Sequence, residues 1–279
     1  PELDLKIRDK ICSVETFQSK FSRKISSTIL YNKGKADIFI ARHVIEHAYD
    51  IFEFVMTSQS LVKDNGYIVF ELPDCERGMM EGDCTILWEE HLNYFTETSF
   101  RNFIKGLGFE IVFWNNYNYP LENSITVILK NNSLKVDYLK NKNDTIEQQN
   151  IFTTFKEKMY ERKSKIYQLL FNFKKNIGPI AILGAGHLSS TFLSVNNLDN
   201  MIDFVIDDNP SKNNMYMPNG NLKIVNSKFL DNNKIKMCLI GANPQNHKKI
   251  MHKHNQFINK GGIFKSIFPG TNNDIGEYL

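Results

Sequence analysis

The stretch ADIFIARHVIEH, residues 36–47, decides the fold class of this chain of 279 residues. Its first half is a continuous apolar run, which is typical of a parallel strand that is buried on both faces. Histidines and a glutamate follow where that strand ends. Since ligands of open α/β sheets bind at the carboxyl ends of the strands, the stretch predicts an α/β fold with polar side chains at its ligand-binding edge.

The segments around this strand extend the same pattern. Residues 44–62 carry apolar positions at helical spacing and stop at the turn cluster Lys63–Gly66. A second, amphipathic helix is expected after Thr96. Strands are predicted at 67–74 (YIVFELPD), 109–114 (FEIVFW) and 124–130 (SITVILK). The order predicts a sheet that ends in a hairpin.

A second alternation of strands and helices begins at Pro179. The polar composition of 131–150 predicts a surface connection, and apolar residues on one face of 151–176 predict a long connecting helix. Strands are predicted within 179–186, 202–208, 222–225, 235–241 and 261–268, with helices at 187–195 and 247–259. The chain is therefore expected to divide into 1–131, a linker with a connecting helix at 132–178, and a second Rossmann-like α/β domain at 179–279.

Composition excludes several classes of function. The formal charge is +3 and the basic residues are dispersed, so nucleic acid is not the expected partner. No apolar run approaches the roughly 20 residues that span a bilayer, and no signal peptide is recognised, so no membrane partner is expected. The cysteines, which form no CxxC pair, are expected to be reduced thiols of a cytoplasmic protein. They are Cys12, Cys75, Cys84 and Cys238.

Two histidine-containing blocks are candidates for chemistry. His43 and His47 follow the first strand and could touch a cofactor or substrate; alternatively, they only cap or pack the next helix. The block WEEHLNYF, residues 88–95, follows the next strand and its loop, and places carboxylates beside His91. A carboxylate partner raises the basicity of an imidazole, so His91 is the candidate general base. Exposed glutamates beside a core tryptophan are the alternative.

A third motif lies in the second domain. GAGHLS, residues 184–189, is a GxGxxG-like turn after a strand, with Asp207 about 20 residues further on, as in nucleotide-binding folds. Gly184 and Gly186 could let a backbone approach a phosphate, and Lys212 could pair with it. Asp207, Asn209 and Pro210 could equally form a plain turn.

The blocks DIFIARHVIEH, YIVFELPD, WEEHLNYFT and GLGFEIV, in this order and spacing, resemble the S-adenosylmethionine-dependent class I methyltransferases that act on nucleotide-linked deoxysugars, especially the sugar C-methyltransferases. The resemblance covers about residues 36–113. It implies that 1–131 is the C-terminal part of a methyltransferase domain. In this family His91 is the general base, Glu90 supports it, and His47 lies near the sugar.

The same resemblance implies further contacts. Trp88 stands where the family usually carries a tyrosine that reaches the sugar, so the acceptor sugar or atom is expected to differ; Tyr94 is expected beside it. The block D-x-N-P-x-K at 207–212 resembles the family's C-terminal domain, which holds the nucleotide. Asn219 stands where that domain has glycine. The nucleotide is accordingly expected at Gly184, Gly186, Asp207, Asn209 and Lys212.

For the cofactor, the resemblance implies S-adenosylmethionine, with Phe17 near the adenine and Ala41, Arg42 and His43 near the methionine part. The family's Gly-rich cofactor loop and ribose-binding acid are not found in this sequence, which starts at Pro1. The chain is therefore expected to be a cut one that also lacks a zinc-binding N-terminal segment, and to bind the cofactor poorly. No metal site is expected in these residues.

Methyl transfer to a carbon of a nucleotide-linked sugar, by a monomer or homodimer, is the leading hypothesis. O-methyl transfer to a related sugar is an alternative. A nucleotide-binding module without catalysis is the second hypothesis, based on the GAG turn and the missing cofactor loop. An NAD-dependent oxidoreductase is the third, but the sequence offers no Tyr-x-x-x-Lys hydride-transfer partner.

Overall fold

The computed structural model describes residue 17 and residues 19–132, 142–218, 221–232 and 234–277. They form two α/β units, each with its own sheet. The first unit contains, in chain order, α1 (Arg23–Lys33), β1 (Ala36–Arg42), a 3-10 helix (Ile45–His47), α2 (Ile51–Ser60), β2 (Val62–Asp74), α3 (Glu76–Glu81), a 3-10 helix (Cys84–Ile86), α4 (Glu97–Gly106), β3 (Glu110–Tyr117) and β4 (Asn123–Lys130).

The first sheet has the strand order β1-β2-β4-β3. β1 and β2 are parallel, with Ala41 opposite Phe70, while β3 and β4 form an antiparallel hairpin at the other side. The central strand buries Ile68, Phe70 and Leu72 completely, because helices cover it. The Rossmann-like fold class and the terminal hairpin are confirmed.

The region after β1 differs from the prediction. A helix was expected over residues 44–62, but α2 spans only Ile51–Ser60 and follows a short 3-10 turn. Asp50 sets the start, since its side chain accepts a hydrogen bond from the backbone N–H of Glu53 at 2.8 Å. The residues before it are thereby left at the carboxyl edge of the sheet, where they can serve a site.

The second unit is connected to the first by α5 (Lys142–Asn176), which starts earlier than the predicted residue 151. It then contains β5 (Ile180–Leu183), α6 (His187–Asn196), β6 (Phe204–Ile206), β7 (Ile224–Val225), β8 (Met237–Ile240), α7 (His247–Lys253), α8 (Asn255–Asn259) and β9 (Ile263–Ser266), with 3-10 turns at Pro210–Lys212, Ser227–Asn232, Pro244–Asn246 and Ile275–Glu277. Its strands are all parallel, in the order β7-β6-β5-β8-β9. The single helix predicted at 247–259 is two helices that meet at His254.

α5 packs against both units. Phe155 is buried with Cys75 and Ile86 of the first unit, while Ile166 and Leu170 lie in the core of the second. The middle of the helix is also anchored by charge, because Arg162 donates to both carboxylate oxygens of Asp274 at 2.8 Å.

Two further expectations concern the surface and the thiols. Cys75, Cys84 and Cys238 are buried and unbonded to one another, and Cys12 lies outside the described residues. Among the helices of the described part, none has the length and apolar composition needed to cross a membrane.

Candidate active site

The two histidine blocks meet at the carboxyl edge of β1 and β2. Backbone hydrogen bonds connect them, since the N–H groups of Leu92 and Asn93 donate to the carbonyl of Glu46 at 2.9 and 3.0 Å. The side chain of Asn93 adds a bond to the carbonyl of Ala48 at 2.7 Å. The parallel pairing of the strands explains why segments more than 40 residues apart reach the same edge.

Glu46 is the buried acid of this edge, and the sequence analysis did not select it. The residue is 2% exposed, and its Oε2 atom has no hydrogen-bond partner. Its Oε1 atom lies 3.6 Å from Nδ1 of His43 and 4.0 Å from Nε2 of His47. Burial raises the pKa of Glu46, because the charged carboxylate loses hydration there.

His47 is oriented by the backbone of the second block. Its Nδ1 atom lies 2.8 Å from the carbonyl oxygen of Glu90, so Nδ1 carries the proton and donates. The other ring nitrogen, Nε2, lies 4.0 Å from Oε1 of Glu46. The part of Glu90 that the structure brings to this edge is its carbonyl, while its side chain is exposed.

His91 lies against His47, with ring centroids 4.8 Å apart at an angle of 82°. Partial burial, followed by the neighbouring His47, His187 and His43, lowers the pKa of His91, whereas Glu90 acts in the opposite direction. The expectation that a carboxylate partner raises the basicity of His91 is therefore wrong, because burial and the neighbouring histidines outweigh Glu90. The lowered pKa instead favours the neutral imidazole, whose lone pair can accept a proton.

The same groups have the composition of a metal site. One ligand atom each from Glu46, His47 and His91 lies within 4.8 Å of the others. Two imidazoles and a carboxylate suit a divalent transition metal, and the bond from Nδ1 of His47 to a carbonyl is the usual outer contact of a ligating histidine. The arrangement therefore permits either proton transfer or metal binding.

Trp88 and Tyr94 shape the loop that carries His91. The hydroxyl of Tyr94 accepts from the N–H of Trp88 and donates to its carbonyl, both at 3.1 Å. The Trp88 ring stacks on His187 of the second unit with a centroid distance of 3.7 Å, and lies nearly parallel to His91 at 5.7 Å. The indole thus contacts a histidine of each unit.

His187 is a site residue that the sequence analysis passed over, although it follows the GAG turn that was singled out. Its Nδ1 atom lies 3.1 Å from a carboxylate oxygen of Glu89, and its Nε2 atom lies 3.1 Å from the carbonyl of Leu87. The Gly-rich turn of the second unit and the WEEH block of the first are therefore in direct contact.

A cleft of about 720 Å³ opens beside this contact. Both units line it, with Trp88 and Glu89 on one side and Gly186, Ser190 and Met217 among the residues on the other. A Cβ atom built on Gly186 would meet nothing within 4 Å, so the backbone at the start of α6 is open to the cleft. An anion in the cleft could reach the N-terminal backbone of α6.

The other predicted nucleotide-binding residues hold the turn itself. Asp207 accepts a hydrogen bond from the N–H of Ala185 at 2.9 Å, and Nζ of Lys212 lies 2.8 Å from the carbonyl of Ala185 and 3.3 Å from Asp207. Asn209 caps the following 3-10 turn through the N–H of Ser211. The carboxylate of Asp207 is thus engaged within the protein, which disfavours a ribose contact of the NAD type.

The geometry of the same turn explains why residue 184 is a glycine. Its φ is 106°, and a Cβ there would lie 3.0 Å from the carbonyl oxygen of Gly241. Both the backbone conformation and the close approach of the residue after the neighbouring strand β8 require glycine.

Of the predicted cofactor residues, Ala41, Arg42 and His43 lie at the end of β1. Ala41 is buried, Arg42 forms a bidentate ion pair with Glu71 at 2.6 and 3.0 Å, and His43 adopts a left-handed backbone with φ of 51°. Phe17 is partly buried.

A neighbouring cleft of about 380 Å³ is lined by Phe21, Phe54 and Tyr49, and by the carboxylates of Asp50 and Glu53. Lys20 also lines the cleft, with Nζ 4.6 Å from the centre of the Tyr49 ring, and Glu53 pairs with Arg23 at 3.3 Å. The aromatic walls therefore suit the purine ring of S-adenosylmethionine, while the charges around the cleft are largely balanced.

Glu122 is a further acid that the sequence analysis passed over. Burial, and then the charges of Glu46, Asp83 and Asp74, raise the pKa of Glu122 to about 7, although Arg77 opposes the shift. A carboxyl group that titrates near neutrality is uncommon outside functional sites. It adds a second proton-binding acid close to Glu46.

Comparison with known families identifies the class of enzyme. A model described as a methyltransferase domain matches residues 7–112, and one described as a C-methyltransferase C-terminal domain matches residues 129–269. The fold and these matches define an S-adenosylmethionine-dependent class I methyltransferase. Since the second match covers just over half of the 279 residues, the chain belongs to the family of the C-methyltransferase C-terminal domain. No curated protein matches the chain.

Proposed function

We propose that the protein methylates a carbon atom of a nucleotide-linked sugar, with His91 as the general base. The observation that carries this proposal is the position of the partly buried His91, whose ring lies against His47 and close to the buried Glu46. A base of this kind is needed to remove a proton from carbon, whereas methyl transfer to an ionised acceptor needs none. The match to a C-methyltransferase C-terminal domain supports the same reaction.

The chemistry uses a ketone next to the target carbon, because the ketone acidifies the adjacent C–H bond. Nε2 or Nδ1 of His91 takes that proton, and the C–H electron pair becomes the enolate. S-adenosylmethionine, when bound, supplies the electrophilic methyl group, which forms a bond to the enolate carbon as the sulfonium C–S bond breaks. Holding the two reactants in line supplies much of the acceleration.

Glu46 and the backbone of Glu90 influence the histidine pair that receives the proton. A carboxylate oxygen of Glu46 lies within 4.8 Å of ring nitrogens of His47 and His91. Burial disfavours the charged form of Glu46, and the imidazolium that forms at the histidine pair favours it. The carbonyl of Glu90 fixes the tautomer of His47, so Glu90 supports the site through its backbone. In this proposal His47, Trp88 and Tyr94 line the sugar side of the base.

The nucleotide part is assigned to the cleft between the units. Gly186 leaves the backbone at the start of α6 open, and helix N-termini favour phosphate groups. Asp207, Asn209 and Lys212 hold the turn in shape, and Lys212 adds a positive charge beside it. The cofactor is assigned to the cleft lined by Phe21, Tyr49 and Phe54, and the residues expected at the cofactor from the sequence, Phe17, Ala41, Arg42 and His43, are not among those that line it.

The test compares His91→Asn with His252→Asn, an exposed histidine on α7. Nucleotide-linked keto-deoxysugars are incubated with labelled S-adenosylmethionine, and the methylated atom is located by NMR. Exchange of the substrate C–H proton with D₂O is followed in parallel. We expect His91→Asn to lose both methyl transfer and exchange while nucleotide binding persists. Retained exchange in this variant, or a methyl group on oxygen, would refute the proposal.

A further inference from the structure

The ring of His187 is held at both edges. Nδ1 lies 3.1 Å from Glu89, and Nε2 lies 3.1 Å from the carbonyl of Leu87 and 3.2 Å from the hydroxyl of Thr191. The side chain is only 16% exposed. An imidazole with partners on both nitrogens has a fixed plane, so it can orient whatever packs on its face.

The group on that face is Trp88. The two rings are 3.7 Å apart at 17°, and the other neighbour of the indole is His91, at 5.7 Å and 21°. The backbone of Trp88 is fixed independently by the hydroxyl of Tyr94. The position of the indole ring, and with it one side of His91, therefore depends on His187.

We infer that His187 is a positioning residue for the proposed base, so that the second unit completes the geometry of the methyl-transfer site through Trp88. The expected effect on kcat rests on the proposed function, whereas the expected effect on the positions of Trp88 and His91 does not. It assigns the second unit a role in catalysis in addition to nucleotide binding.

Other contacts hold the two units together. Asn196 of α6 donates to Sγ of Cys84 at 3.5 Å, and Cys84 of the first unit is buried in the core of the second. Removing His187 is therefore expected to release the indole without separating the units. Replacement of His187 therefore tests its role in positioning Trp88 separately from any role in holding the two units together.

The test uses a Trp114→Phe background, in which Trp88 is the single tryptophan, because the chain contains two. His187→Ala removes the ring, and His187→Phe keeps a stacking face but loses both edge contacts. We expect increased, red-shifted Trp88 emission and a changed NMR shift of the His91 ring protons in His187→Ala, with a smaller change in His187→Phe. We expect kcat to fall about 10- to 100-fold with little change in KM, since small misplacements of reacting groups are costly.

The control is His252→Ala, which should match the parent in every measurement. Unchanged emission and His91 resonances in His187→Ala would overturn the inference. A loss of activity that is fully explained by unfolding of the variant at the assay temperature would overturn it as well. Neither spectroscopic readout requires substrate. If the parent protein shows no methyl transfer, the proposed function fails, while the spectra still decide whether His187 positions the indole and His91.

Discussion

Oε1 of Glu46 lies 4.0 Å from Nε2 of His47, on the opposite side of the imidazole from the carbonyl of Glu90. The ring is therefore held between a backbone acceptor and a buried carboxyl group. Only the second of these can change its charge. The acid that can respond to a proton arriving at the histidine pair is Glu46.

Replacement of Glu46 by Gln tests this assignment. The amide keeps the size of the side chain but removes the charge that favours a protonated histidine pair. We expect kcat for methyl transfer to fall about 10- to 100-fold, within the usual contribution of acid–base groups, and KM to change little.

Glu90→Gln is the matched comparison, because the substitution keeps the backbone carbonyl that orients His47. Its exposed side chain should contribute less, so its loss of kcat should be clearly smaller than that of Glu46→Gln. A larger effect at Glu90 would show that the sequence-based choice of acid was the better one.

Glu122 gives a pH-dependent prediction for stability. The folded protein raises the pKa of this carboxyl from 4.5 to about 7, chiefly by burial. Below pH 4.5 the group is protonated in both states. As the pH rises from 4.5 to about 7, the unfolded chain ionises first and its free energy falls relative to that of the folded protein, so stability is lost over this window.

Glu122→Gln should remove that loss. We expect the variant to be more stable than the parent by about 1 to 3 kcal/mol at pH 8, and similar to it at pH 4. Urea denaturation at the two pH values measures the difference. An equal effect at both would attribute it to packing rather than to ionisation.

Lys212 gives a prediction for the nucleotide. Its Nζ atom holds the carbonyl of Ala185, and its charge lies next to the turn assigned to the phosphates. Lys212→Ala should weaken nucleoside diphosphate binding about tenfold, which corresponds to about 1.4 kcal/mol. Calorimetry on this variant and on Lys223→Ala, an exposed lysine near β7, makes the comparison. Equal affinities in the two variants would remove Lys212 from the site.

Most of the fold followed from local patterns. The strand at 36–42 was predicted from its apolar run, and the GAG turn marked the strand at 180–183. The expected burial of the first strand on both faces was wrong, because β1 is an edge strand of the described sheet, with Ile38 53% and Ile40 62% exposed. The longer extent of α5 was missed, because Ile146 is the single apolar residue in 142–150 and one apolar position shows no helical periodicity. Helix boundaries set by a single capping residue, such as Asp50, were also missed.

The candidate site could be predicted only in outline. Sequence patterns placed His47 and His91 at one edge, because parallel strands end together. They could not separate Glu46 from Glu90, since burial depends on the packing of both blocks. The contact between His187 and Leu87 joins residues 100 apart in different units, and no local pattern encodes it.

The long helix α5 belongs to two cores at once, through Phe155 on one side and Ile166 and Leu170 on the other. The match to the C-terminal family domain begins at residue 129, before this helix starts. The segment that matches this family domain therefore includes α5, and with it Phe155, which packs against the first unit. A chimera that exchanges the methyltransferase unit must preserve the surface that packs against Phe155. A junction at residue 178 would exchange α5 together with that unit, and would disturb the packing of Ile166 and Leu170 in the second core.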